Sequence, residues 1–329
     1  MYDNAYRAVL LCRLAGLGFA ETRGIVREVF GAAIPRSVVK SWYYGRKSHR
    51  ITKLNALDKS LWYHKAYAFA LKLKRKNPDW GHKRVATELG RHLPIRVPPL
   101  TVYFWLKNYS KPNITPIKIC PELGYLVGVL VGDRRRTGHG LKVKDREFVE
   151  YYTCMYEKVT GKKPKIVLDG DGYYRTSESG GFLRALWQTG LWKVVAYIYP
   201  REFLQGLFDS EGCISPHTPF FNNFVLEIAT GNLEVLSITR KLLKKLSYKT
   251  KTIAKPPQTR NINNKIFQFG LCYELIILGG KQALYKFASE TGFREGKRKR
   301  RLNALLEAFK HPLKERCKIY DEFLGPSLH

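Results

Sequence analysis

Acidic side chains are scarce in this 329-residue chain: 27 Asp and Glu stand against 58 Lys and Arg, a formal charge of +31. Such self-repulsion gains a fold nothing. The physical reason to carry it is a polyanionic partner, whose condensed counterions are released when Lys and Arg replace them. The excess is not confined to a tail. Residues 1–118 hold 23 basic and 6 acidic side chains and residues 119–329 hold 35 and 21, so nucleic acid is expected to touch both parts. Long apolar runs are missing too. Those at 125–131 and 275–278 fall far short of the roughly 20 residues that span a bilayer. Asp3 and Arg13 flank and interrupt the apolar N-terminal stretch, which reads as an amphipathic helix and not as a signal peptide. The six cysteines (Cys12, Cys120, Cys154, Cys213, Cys272, Cys317) form no C-x-x-C pair. That argues against structural zinc and fits a reduced, intracellular setting with no membrane contact.

What is present divides into two styles. Over residues 1–50, Val9, Leu10 and Leu14, then Ile25, Val26, Val29 and Phe30, recur at helical spacing around Gly16 and Gly18. After a turn at 31–35, the segment from Ser37 to Gly45 turns Val38, Val39 and Trp42 inward and Lys40, Ser41 and Tyr44 outward, with Arg46 following. This is the pattern of a helix-turn-helix whose third helix enters a major groove. It recurs 63 residues on: Pro35 matches Pro98, Val39 matches Val102 and Trp42 matches Trp105, with Lys107 near the end. Residues 1–52 and 53–110 are therefore read as two helix-turn-helix modules.

Residues 111–120 contain two prolines and no helical period and read as a linker. Beyond them the pattern is α+β, with strand-like runs at Lys165–Leu168, Phe224–Ile228 and Lys265–Leu271. Amphipathic helices are expected near 145–160, 232–246 and 280–291. Asp169-Gly170-Asp171-Gly172 reads as a hairpin turn.

Two segments carry the chemistry. Leu126–Asp133 (LVGVLVGD) and Leu204–Gly212 (LQGLFDSEG) are each a short apolar helix with a glycine inside, Gly128 or Gly206, and an acid at the C-terminal end. A helical glycine costs about 1 kcal/mol of propensity but lets a second backbone approach closely. Two such helices side by side would bring Asp133 and Glu211 together, where both helix dipoles oppose negative charge. The pair needs a compensating cation. Hard carboxylate oxygens suit Mg²⁺ bridging protein and phosphate, which can activate water on a phosphodiester.

These two segments resemble the paired motifs of monomeric LAGLIDADG homing endonucleases. The likeness extends over residues 121–305, including Cys213-Ile214 and the basic closing stretch Thr291–Leu302. It implies pseudo-symmetric αββαββα repeats, at 121–200 and 201–329, whose sheets form a saddle over the major groove. It also implies a monomer that cuts double-stranded DNA with Mg²⁺, or Mn²⁺ as a substitute. By this resemblance Asp133 and Glu211 are metal-binding acids, and Asp209 serves helix packing or capping. Lys193 in the first repeat and Lys297, or its neighbour Lys299, in the second would surround the hydrolytic water. Lys142, Lys144, Lys165, Arg175, Lys249, Lys251, Lys255, Arg260 and Lys265 are expected on DNA-facing strands, Lys299 on phosphates, and Lys40, Tyr44, Arg46 and Lys107 on DNA from the N-terminal modules.

The first segment departs from the pattern. Arg134 stands where glycine is expected, and an arginine there would compete with metal for Asp133. A cleavage-deficient, DNA-binding regulator is thus the alternative function. An RNA maturase is a third, disfavoured because the A-form major groove is too narrow for a helix. The chain begins with Met1 and lacks the ends of an intein, so it is expected to be free-standing.

Overall fold

The computed structural model describes all residues except 47–48, 134–139, 178–179, 218–220, 263–264 and 326–329. Arg134, and with it the expected competition for Asp133, lies outside the described residues. The chain divides into two compact units.

The first unit comprises Met1–Leu123, Cys154–Lys165 and Ser177–Ile198. It opens with α1 (Tyr2–Leu14), α2 (Phe19–Phe30) and α3 (Arg36–Tyr43), followed by α4 (Ala56–Lys76), α5 (His82–His92) and α6 (Pro99–Leu106). The two triplets repeat at a constant offset of 63. Gly18 and Gly81 cap α2 and α5, and Pro35 and Pro98 cap α3 and α6. Thr22 and Val85, Val26 and Leu89, Ile34 and Val97, Val39 and Val102, and Trp42 and Trp105 are buried as equivalent pairs. Even the exits agree: Gly45 (φ 68°) and Asn108 (φ 57°) both take the left-handed conformation that ends such helices. One Trp anchor in each triplet meets tyrosines edge-on, Tyr6 at 5.4 Å and Tyr67 at 5.7 Å.

The triplets are joined, not beaded. Arg7 of α1 forks onto Asp58 of α4 at 2.9 and 2.7 Å, both side chains being buried. Asp58 also closes a capping box with Asn55. Ile51 bridges to Ile95 in parallel, both fully buried. The linker is tied down as well, Lys118 N–H donating to the Val159 carbonyl at 2.8 Å.

The second unit comprises Gly124–Thr153, Ile166–Thr176 and Tyr199–His329. In chain order the remaining elements are α7 (Pro121–Gly132), β1 (Lys142–Val143), α8 (Arg146–Thr160), β2 (Ile166–Leu168), β3 (Tyr174–Thr176), α9 (Gly181–Gln188), α10 (Trp192–Ile198), α11 (Pro200–Glu211), β4 (Gly212–Pro216), β5 (Phe224–Thr230), α12 (Leu233–Lys245), β6 (Lys249–Lys255), β7 (Gln258–Ile262), β8 (Lys265–Phe269), β9 (Cys272–Leu278), α13 (Gly280–Glu290), α14 (Gly296–Ala308) and α15 (Arg316–Leu324). The chain is mixed helix and sheet, with antiparallel pairing throughout its sheets. After α11 the strands form a four-stranded sheet in the order β4-β5-β9-β6, and β7-β8 make a hairpin inserted between β6 and β9. Leu226, Ile228, Leu275 and Ile277 line its buried face, with α12 packed against β5, β6 and β9.

The two halves differ. Among the described residues the sheet after α7 has three strands, in the order β1-β3-β2, and none exceeds three residues. The turn from Asp169 to Gly172 joins β2 to β3 as the sequence suggests. Residues 121–200, expected as one repeat, are shared between the units: α9 and α10 join the N-terminal helices, α9 packing on α4 and α10 on α1 and α2.

Candidate active site

Within the second unit α7 and α11 pack backbone against backbone. A Cβ on Gly128 would collide with the carbonyl of Phe203 and the amide nitrogen of Leu207. One on Gly206 would collide with the carbonyl of Tyr125 and the amide nitrogen of Val129. Each glycine thus meets the residues three before and one after the other glycine, a local two-fold relation that maps 128 onto 206 and Asp133 onto Glu211. Gly132 extends the seam, since a side chain there would strike Ser210 and Glu211. Both helices bury apolar residues on nearly every side, among them Leu126, Val127, Leu204 and Leu207.

Asp133 continues the α7 ladder, its N–H donating to the Val129 carbonyl at 2.9 Å, and Glu211 is the last residue of α11. Both are half-buried. Burial pushes the Asp133 carboxyl up to about 6, against the pull of the Arg298 cation. Burial pushes Glu211 up to about 7, the Asp133 charge adds to it, and Arg298 again opposes. Among the described residues neither carboxylate receives a hydrogen bond or ion pair. Two adjoining, half-buried oxygen donors that no cation among the described residues pairs directly fit a hard divalent cation that shares its remaining positions with water or phosphate.

Asp209 has the opposite environment. It is fully buried and accepts from Tyr125 Oη at 2.9 Å and from the N–H groups of Arg294 and Glu295 at 2.7 and 3.1 Å. These bonds tether α7 and the start of α14 to α11.

Arg298, on α14, was not singled out by the sequence. Its Nε donates to the Gly212 carbonyl at 2.5 Å, and its two terminal nitrogens donate to the carbonyls of Asp209 at 2.5 Å and Ser210 at 3.0 Å. One guanidinium thereby satisfies carbonyls that α11 leaves open at its end and neutralises the negative pole there. Nothing in the run Arg294–Arg301 distinguishes position 298 from its basic neighbours; only the turn of α14 aims it inward.

Of the expected lysines, Lys297 and Lys299 are exposed on the first turns of α14, and Lys193 lies half-buried on α10 of the first unit. Lys249, Lys251 and Lys255 alternate along β6 and share its outer face. The register sets Lys251 beside Ile276 and Ile276 beside Glu227, so this face also carries carboxylates, with Lys255 Nζ 3.1 Å from Glu274. Lys142 and Arg175 are strand partners and both hold Asp169, at 2.8 Å each. Lys144 lies over the Tyr173 ring at 5.2 Å. Lys165 is exposed just before β2 and belongs to the first unit. Arg260 and Lys265 fall on the β7–β8 hairpin. Lys40, Tyr44, Arg46 and Lys107 are all exposed, with Arg46 over the Tyr44 ring at 5.7 Å.

No helix among the described residues is long and apolar enough to cross a membrane. Residues 199–292 match the family model described as a LAGLIDADG-like domain. Among curated proteins, the uncharacterized protein MJ0398 of Methanocaldococcus jannaschii is 28% identical over 257 residues, covering 72% of this chain and 91% of that protein. Among solved structures, mesophilic variants of the homing endonuclease I-DmoI align with 17% identity and a TM-score of 0.36 over 52% of this chain and 94% of theirs. I-DmoI in complex with DNA and Ca aligns with 16% identity and a TM-score of 0.35 over 51% and 87%.

Proposed function

We propose that this chain, whose residues 199–292 are a LAGLIDADG-like domain, is a site-specific, metal-dependent endonuclease that acts on double-stranded DNA as a monomer. The observation that carries the proposal is the pair of half-buried carboxylates, Asp133 and Glu211, which have no hydrogen-bond or ion-pair partner among the described residues and are held at two helix ends by glycine-mediated contact. Asp133 and Glu211 would hold Mg²⁺, or Mn²⁺ in its place, which would activate water and stabilise the leaving oxygen of a phosphodiester. Arg298 keeps the α11 terminus and its acid in place. Lys297, beside it, is the proposed orienter of water. The outer face of β6 would meet DNA through Lys249, Lys251 and Lys255, and Lys142, Lys144, Lys165, Arg175, Arg260, Lys265 and Lys299 would supply further contacts. The polar face of α3, with Lys40, Tyr44 and Arg46, would enter a major groove as a helix-turn-helix does, and Lys107 would meet a phosphate.

Selection of cut sites from a randomised duplex library tests this. Sequence-specific double-strand cuts are expected in Mg²⁺ and none in Ca²⁺. Asp133→Asn and Glu211→Gln should each lower cutting at least about 100-fold while the target is still bound. Undiminished cutting by either variant would remove these acids from the metal site.

That the described strands after α7 span at most three residues each favours a second reading, a DNA-binding regulator that no longer cuts. Enrichment of bound sequences without cleavage in Mg²⁺ or Mn²⁺ would establish it.

A further inference from the structure

The 63-residue repeat permits a comparison between two copies of one helix within a single chain. Residues equivalent in position have kept their buried chemistry and exchanged their exposed chemistry. Apart from Tyr44, whose equivalent is Lys107, the outward positions on α3 and its exit include Ser37, Lys40, Ser41 and Arg46, all polar. The equivalent positions on α6 and its exit are Leu100, Tyr103, Phe104 and Tyr109, an aliphatic residue and three aromatics.

These side chains are not absorbed into the core. Leu100 is 63% exposed, Phe104 39% and Tyr109 68%. The rings adjoin one another, with centroids of Tyr103 and Phe104 5.7 Å apart, Tyr103 and Tyr109 6.2 Å, and Phe104 and Tyr109 6.3 Å. His82 of α5 extends the patch, 5.3 Å from Tyr103. A contiguous aromatic surface kept in water marks a contact site. Its surroundings select the contact: Lys83, Arg84, Arg96, Lys107 and Lys111 are exposed nearby in sequence on α5, α6 and their flanks, whereas Glu88 is the one acid between residues 80 and 118 and is paired with Arg91 and His92.

A helix face made of one aliphatic side chain and three rings offers few of the donors and acceptors that read base edges in a duplex groove. Rings flanked by cations are instead suited to unpaired bases, which stack on any aromatic face while the backbone meets Lys and Arg. We propose that the face of α6 formed by Leu100, Tyr103, Phe104 and Tyr109 binds single-stranded DNA by stacking, so that the two modules divide duplex and single-strand recognition between them. This goes beyond the endonuclease reading and stands whether or not the chain cuts.

The test is fluorescence anisotropy of the full chain with a labelled 20-nucleotide single strand, its duplex, and an RNA of the same sequence. Phe104→Ala and Tyr109→Ala should each weaken single-strand binding about 10-fold and leave duplex binding unchanged. Phe104→Tyr, which keeps a stacking ring, should restore it. Both positions are exposed, so the variants are expected to fold, and circular dichroism of each verifies this. An equal loss on duplex would place α6 in a duplex groove and overturn the proposal. No loss on either would overturn the proposal, and tighter binding of the RNA would overturn the assignment to DNA.

Discussion

Asp133 and Glu211 sit where a carboxylate is least at home: desolvated, adjacent to each other, and at helix termini whose dipoles repel negative charge. Their raised values, about 6 and about 7, have a consequence with a definite sign. The folded chain holds protons that the unfolded chain releases at the lower carboxylate values, so metal-free protein should lose stability as pH rises through about 4 to 7. A divalent cation must displace those protons and should therefore bind progressively better over the same rise. Thermal unfolding with and without Mg²⁺ between pH 5 and 8 reads both effects: the stabilisation by metal should be small at pH 5 and grow towards pH 8. A metal effect that is constant across this range would contradict the assignment of the pair. The two acids were legible in the sequence because each ends an apolar segment of recurring form. Arg298 was not, since an inward turn of α14 is a property of packing and not of composition.

At the scale of elements, the crossing of α7 and α11 rests on four glycines, Gly124, Gly128, Gly132 and Gly206, where any side chain meets the opposing helix or the residue that precedes it. Gly128→Ala or Gly206→Ala forces backbone apart along the seam and should cost about 3 kcal/mol or more. Gly24 supplies the control. It lies within α2 with nothing near its absent Cβ, so Gly24→Ala should stabilise by about 0.5–1 kcal/mol through propensity alone. Urea unfolding midpoints distinguish the two, and a Gly128→Ala midpoint equal to that of the parent chain would contradict the close approach. Helices were readable because their apolar spacing is local. Strands were read less completely. Lys165–Leu168 and Lys265–Leu271 were located nearly in place, but β1 spans two residues, too few to leave an alternation, and the direct pairing of β6 with β9 across an inserted hairpin joins residues that are distant in sequence.

For the whole molecule the governing quantity is the charge of +31. If basic side chains from both units contact phosphates, some six to ten neutralised phosphates give a duplex affinity that falls about a thousandfold or more between 50 and 200 mM salt. Titrating one duplex at several salt concentrations measures the slope, and a shallow slope would confine binding to a few contacts. The sequence by itself determined the helical modules, their 63-residue repeat, the α+β remainder and the two acid-bearing segments, because periodicity, glycine placement and net charge are local or summed properties. Tertiary structure alone decided four things: that α9 and α10 leave their expected repeat for the N-terminal helices, that Arg7 and Asp58 fuse the two triplets, that Arg298 closes the α11 terminus, and that α6 turns an aromatic face to solvent. Each depends on which surfaces find one another in space, and a linear pattern of residues does not specify that.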